Sequence, residues 1–195
     1  MRRRATLVAA VLVVAVVAVV VLVLTRPWRE PVLLDAADFD GVETVHQGER
    51  AYPPGWTWCD LGVGRWYRDG APSSSLSFGE YSRAGAAIVS SPDRWTSDEI
   101  ITALSDDARA CSESDQAGRG NMIEPLDGLD ADTVGWRTRT VDGEWGEYLV
   151  TALDSTRVLV VGFATLDDRA PVDAGVLLER AREGALRFPT PEAGR

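Results

Sequence analysis

The side chains that most often carry out chemistry are scarce in this sequence of 195 residues. It has one histidine, His46, and no lysine. A Ser-His-Asp triad would have to use His46, and no Gly-x-Ser-x-Gly turn is present to hold the serine. Without lysine, Ser-Lys pairs, Schiff bases and a phosphate-loop lysine are excluded. Cys59 and Cys111 lack both the Cys-x-x-Cys spacing of a redox pair and the neighbouring ligands of a zinc site. Gly62-Val63-Gly64 is too short for a nucleotide fingerprint. The 30 acidic residues guarantee close carboxylate pairs by chance, so a glycosidase-like pair is not specified. Asp127, Asp130 and Asp132 share one segment but miss the EF-hand spacing, and they read as a solvated acidic turn. No catalytic residue, metal ligand or cofactor is assigned.

Aromatic side chains are the remaining chemical feature. Trp56, Trp58, Trp66 and Tyr67 fall close together beside Cys59. Exposed, they would stack on a small-molecule ligand such as a sugar, or anchor an envelope protein partner. Buried, they would form a small core around a disulfide. Two cysteines in an oxidising compartment read as one bridge, Cys59–Cys111. In the chain-entropy model, closing that loop stabilises by roughly 4 kcal/mol.

That compartment follows from the N-terminus. From Ala5 to Leu24 the only polar side chain is Thr6, and a helix of that length spans roughly 30 Å, the thickness of a bilayer's hydrocarbon core. Valine is a poor helix former in water, but inside a bilayer every backbone polar group must be satisfied internally, which enforces the helix. The run is longer than a signal-peptide core, and Val23-Leu24-Thr25-Arg26-Pro27 offers no small-x-small cleavage site. Arg2, Arg3 and Arg4 outnumber Arg26 and Arg29, which places the N-terminus in the cytoplasm. The expected organisation is a cytoplasmic end at 1–4, a transmembrane signal anchor at 5–24 and a stalk at 25–32. An extracytoplasmic domain at 33–188 and a disordered tail at 189–195 follow. The partner of residues 5–24 is the lipid bilayer of the plasma membrane.

The formal net charge is −10, and setting aside the cytoplasmic arginines makes the outer domain more acidic still. Such a domain repels phosphate backbones, so no nucleic acid is expected as a partner. All 20 basic residues are arginine and there is a single asparagine. Lysine and asparagine use AT-rich codons, so their scarcity implies a GC-rich genome, compatible with an actinobacterium.

The outer domain alternates strand and helix signals. Leu33–Phe39 predicts a helical turn, and Val42–His46 a first strand. Ser74–Tyr81 and Ala86–Ser90 predict two more, with the turn at Ser82–Gly85. Ser97–Cys111 is the clearest helix: Thr96 and Glu99 have capping-box spacing, and Ile100, Leu104, Ala108 and Cys111 share one face. Thr133–Val141, Glu144–Leu153 and Arg157–Leu166 predict three strands, the first two joined by a two-residue turn at Asp142-Gly143. In the first of these, Trp136 and Thr138 oppose Arg137 and Arg139. The third, containing Val158-Leu159-Val160-Val161-Gly162-Phe163, is apolar on both faces and is expected at the centre of the sheet. A last helix at Val172–Phe188 has Ala174, Leu177, Leu178, Ala181, Ala185 and Phe188 as its buried stripe. The fold class is α+β: an antiparallel sheet with helices packed on one side, one disulfide, and a single transmembrane helix ahead of it.

This arrangement resembles the actinobacterial PknH-like extracellular sensor domain and related secreted lipoproteins. The resemblance rests on Leu33-Leu34-Asp35-Ala36-Ala37-Asp38, the tryptophan segment ending in Cys59, the helix closing at Ala110-Cys111, Asp132-Thr133-Val134-Gly135 and the C-terminal helix. It implies a sheet flanked by helices that binds ligands rather than catalysing. The family's second disulfide has no counterpart here, so its binding cleft and functional residues do not carry over. The sequence points to a non-enzymatic, membrane-anchored, sensor-like or ligand-binding module. Its alternatives are a structural or accessory subunit of a cell-envelope complex and, third, an envelope hydrolase.

Overall fold

The structure is a computed structural model that describes residues 31–48, 72–90, 95–113 and 122–188. The chain divides into Met1–Glu30 and Pro31–Arg195, and the described residues belong to the second unit. Among them no helix is long and apolar enough to cross a membrane. The expected anchor at 5–24, most of the stalk, Cys59 and the tail lie outside them.

Seven antiparallel strands form one sheet in the order β1-β2-β3-β7-β6-β5-β4. They are β1 (Thr44–Gln47), β2 (Ser73–Ser77), β3 (Ser82–Ser90), β4 (Met122–Pro125), β5 (Thr133–Arg139), β6 (Trp145–Ala152) and β7 (Arg157–Thr165). Two meanders, β1–β3 and β4–β7, meet where β7 pairs with β3 from Ser82↔Thr165 to Ser90↔Arg157. Strand β7 is central, as its uninterrupted apolar run implies. A 3-10 turn at Ala36–Asp38, capped by the Asp35 carboxylate, precedes β1.

Two helices complete the domain: α1 (Ser97–Ser112) and α2 (Ala174–Ala185). Both halves of the expected capping box form in α1. Glu99 N–H donates to Thr96 Oγ1 at 3.3 Å, and Thr96 N–H donates to Glu99 Oε2 at 2.7 Å. The Thr96 N–H, joined by the Thr96 hydroxyl donating to Glu99 Oε2 at 2.9 Å, holds the Glu99 carboxyl below its ordinary range. Ile100, Leu104, Ala108 and Cys111 are buried on one face. Helix α2 starts at an Asp173 cap and buries Ala174, Leu177, Leu178, Ala181, Gly184 and Ala185.

The helices do not share one side of the sheet, and this corrects the expected arrangement. Leu159, Val161 and Phe163 of β7 pack with Leu149, Ile88, the α2 stripe and Leu33-Leu34. Val158 and Val160 point the other way and pack with Val150, Trp136, Tyr148 and α1. Successive strand residues face opposite sides, so α2 covers one face and α1 the other. A strand that is apolar on both faces must be covered on both, because each exposed side would leave an apolar surface in water.

Two turns also differ from expectation. The β2–β3 turn lies at Phe78–Tyr81, with Gly79 at φ +104°, and not at Ser82–Gly85. Ser82 and Ala84 are drawn into the sheet opposite Thr165 and Phe163, where both are buried. The β5–β6 hairpin uses three residues rather than two. Gly143 N–H donates to Thr140 O, and Thr140 N–H donates to Glu144 O. Gly143, at φ +89°, takes the left-handed position that follows such a turn. Edge strand β4 is unpredicted, since its four residues are too few for a periodic signal.

Close packing at two glycines supports both faces. Tyr148 lies across Gly162 so tightly that a Cβ there would stand 2.3 Å from its ring. Burial pushes the Tyr148 phenol far above its ordinary value, so it stays neutral. On the other face, a Cβ on Gly184 would stand 2.2 Å from Leu33 O, which lets the N-terminal arm lie directly on α2. Replacing Gly162 by Ala is expected to lower unfolding stability by about 1–3 kcal/mol through overpacking, measured by urea denaturation of the domain.

Candidate functional site

Helix α2, with its C-cap Leu186, carries a second stripe that overlaps its buried one at Leu178. Gly175, Leu178, Glu179, Arg182, Glu183 and Leu186 recur at helical spacing and line a cavity of about 560 Å³. The opposite wall is built by β5, β6 and the segment between β4 and β5, chiefly Leu129, Thr133, Leu149 and Leu153. Leu126 and Leu129 of that segment pack against the core beneath α2. Backbone bonds hold the segment, with Leu126 N–H donating to Gly135 O and Thr133 N–H to Asp130 O, each at 2.9 Å.

One polar node fixes this wall. Arg182 Nη2 donates to Thr151 Oγ1 at 2.6 Å and lies 3.3 Å from Thr133 Oγ1. The Thr151 hydroxyl donates to Asp132 O and the Thr133 hydroxyl to Asp132 Oδ1, each at 3.2 Å. Arg182 Nη2 stands 3.5 Å from Asp132 Oδ2. Thr151 is fully buried, and a buried hydroxyl without a partner is costly. The guanidinium therefore satisfies the strand hydroxyls, and its charge is offset by Asp132. The cavity is left with leucine walls, one immobilised guanidinium and the carboxylates of Asp130, Glu179 and Glu183 at its margin. Glu183 also pairs with Arg180 at 3.1 Å.

A second cavity of about 500 Å³ lies beside α1, between Ala108, Ser112, Ile123 and Trp136. A third, of about 470 Å³, lies on the α2 face at the far end of β5 and β6, around Arg139 and Trp145.

Few of the sequence candidates can be placed. Trp56, Trp58, Trp66 and Tyr67 lie outside the described residues, as does Cys59. Cys111 is buried in α1, and among the described residues no cysteine is free. His46 is exposed on edge strand β1, remote in strand order from the cavity beside Arg182. Asp132 turns to Arg182, and among the described residues no three His, Cys, Asp or Glu side chains are placed to hold a metal ion. The Arg182–Thr151–Thr133 node carried no sequence signal: a threonine in a strand and an arginine in a helix's last turn are ordinary in type, and only their juxtaposition sets them apart.

No protein-family model and no curated protein matches the chain. Among solved structures, the crystal structure of the extracellular domain of PknH from Mycobacterium tuberculosis is similar at 10% sequence identity with a TM-score of 0.49, covering 80% of this chain and 94% of that one. A likeness at that score says nothing about a site or a ligand.

Replacing Arg182 by Met is expected to cost about 1 kcal/mol of stability, since Thr151 and Thr133 lose a charged donor. Thr151→Val is expected to cost a similar amount. Because both act in one network, the double substitution is expected to cost less than the sum, read from urea midpoints of the two single variants and the double.

Proposed function

We propose that this chain is a non-enzymatic, membrane-anchored, extracytoplasmic ligand-binding module of the sensor kind, and that its ligand occupies the cavity beside α2. The observation that carries the reading is that cavity. At about 560 Å³ it falls within the roughly 300–1,000 Å³ typical of small-molecule sites. Its leucine walls supply apolar contact area, and the pinned Arg182 supplies one fixed polar direction, the pairing that such sites use for affinity and orientation. The topology rests on the anchor sequence and its flanking arginines, and the non-enzymatic reading on a chemical inventory with one histidine and no lysine. A Cys59–Cys111 bridge, placed at the buried face of α1, would tie that helix to the tryptophan segment.

A second reading, an accessory subunit of an envelope complex, is favoured by a different observation. Tyr81, Val141 and Leu166 are 54%, 61% and 46% exposed. They belong to neighbouring turns at one end of the sheet, where β3 begins and β5 and β7 end. Clustered exposed apolar side chains suit a protein contact.

Native mass spectrometry of the full chain, extracted from its own envelope, separates these readings. The ligand-binding reading expects a retained small molecule that is lost in Gly175→Leu, a variant whose new side chain stands on the cavity wall, and kept in Gly175→Ala, whose Cβ meets the same Asp173 cap at 3.1 Å without filling the cavity. A bare chain carrying one stoichiometric protein partner would transfer the assignment to the second reading. A bare monomer would refute both. The same spectrum reports the bridge, as a mass two hydrogens below that of the reduced chain.

A further inference from the structure

The cavity at the far end of β5 and β6 is built differently from the one beside Arg182. Its aromatic wall is Trp145, half-buried against the core, whose ring meets Phe163 edge to face at 5.1 Å and 88°. Trp145 Nε1–H donates to Asp167 O at 2.7 Å, so the indole has no polar group left to offer. The Asp167 carbonyl is itself held in place. Asp167 N–H donates to Thr165 Oγ1 at 2.9 Å, and Ser82 Oγ, at 2.6 Å from Thr165 Oγ1, donates to Asp167 Oδ2 at 2.7 Å. This chain of bonds pre-organises the ring.

Around the indole stand charged groups of both signs. Arg137 is paired with Glu147 at 2.5 Å. Arg139 and Asp168 line the same cavity, and their side chains have no ion pair or hydrogen bond among the described residues. Two guanidiniums face the three carboxylates of Glu147, Asp167 and Asp168, so neither a polyanion nor a polycation gains from the site's net field. What matches is an uncharged molecule with an apolar face for the indole and a periphery of groups that both donate and accept. A pyranose ring has that construction: its C–H face packs on an aromatic ring, and its hydroxyls serve a guanidinium and a carboxylate together. We propose that Trp145, with Arg139 and Asp168, forms a platform for an uncharged saccharide, distinct from the cavity beside Arg182 and independent of it.

The test is fluorine NMR of the full chain labelled with fluorotryptophan, in a lipid nanodisc free of glycoside detergent. Trp145→Phe identifies the Trp145 signal. The probes are cellotetraose, chitotetraose, dextran sulfate and a proline-rich decapeptide. The Trp145 signal is expected to shift saturably with cellotetraose or chitotetraose. Arg139→Ala and Asp168→Ala, both surface changes, are each expected to weaken that binding about tenfold, the loss of one charge-assisted hydrogen bond. Gly175→Leu is expected to leave it unchanged, which separates this site from the one proposed beside α2. No shift with either neutral oligosaccharide, a shift with dextran sulfate or the peptide alone, or saccharide binding that ignores Arg139 and Asp168 overturns the proposal.

Discussion

Strand β7 occupies the middle place among seven, and its apolar side chains alternate to both faces. From Arg157 to Thr165 it pairs with β3 on one side and β6 on the other, and beyond its first residue every position is buried. No amphipathic sheet can hold such a strand, since one row of valines and leucines would then face water. The constraint that both rows be covered places α1 and α2 on opposite faces and makes the domain three layers deep. It also joins the two meanders, because β7 needs a partner on each edge and only β3 supplies the second.

The cavities follow from how that cover falls short. A helix covers a narrower strip than a seven-stranded sheet presents, and α2 lies mainly over β7, β6 and β3. Over β5 the α2 face depends on Leu126 and Leu129 from the preceding connection. The space between that connection and the second stripe of α2 is the cavity beside Arg182. Where neither reaches, the sheet presents Trp145 and the arginines of β5. Arg182 bridges helix and sheet at the margin of the first space, and its bonds to two strand hydroxyls keep α2 registered over β6 while leaving a charged group beside an apolar wall.

Several features were legible because they are local or periodic. The capping box at Thr96 and Glu99, the face carrying Ile100, Leu104 and Ala108, and the stripe of α2 depend on residues within a few turns of one another. The central place of β7 was legible from composition alone. The turn before β3 was not. Local preference allows a turn at Ser82–Gly85, but pairing with nine residues of β7 outweighs it and draws Ser82 into the sheet. Strand β4 is short and mostly exposed, so it leaves no pattern to read. The aromatic segment from Trp56 to Tyr67 was legible as a candidate, and its surroundings lie outside the described residues.

The sequence by itself determined the classes of element, the capping box of α1, an N-terminal apolar run long enough to span a bilayer and the narrow range of chemistry that one histidine and no lysine permit. These depend on side-chain type and on spacing along the chain, which are present before folding. Only the tertiary structure decided which face each helix covers, where the β2–β3 turn falls, and that Arg182 meets Thr151 and that Trp145 meets Phe163. Those pairings join residues far apart in sequence, and their energies exist only once the sheet has brought the strands into register.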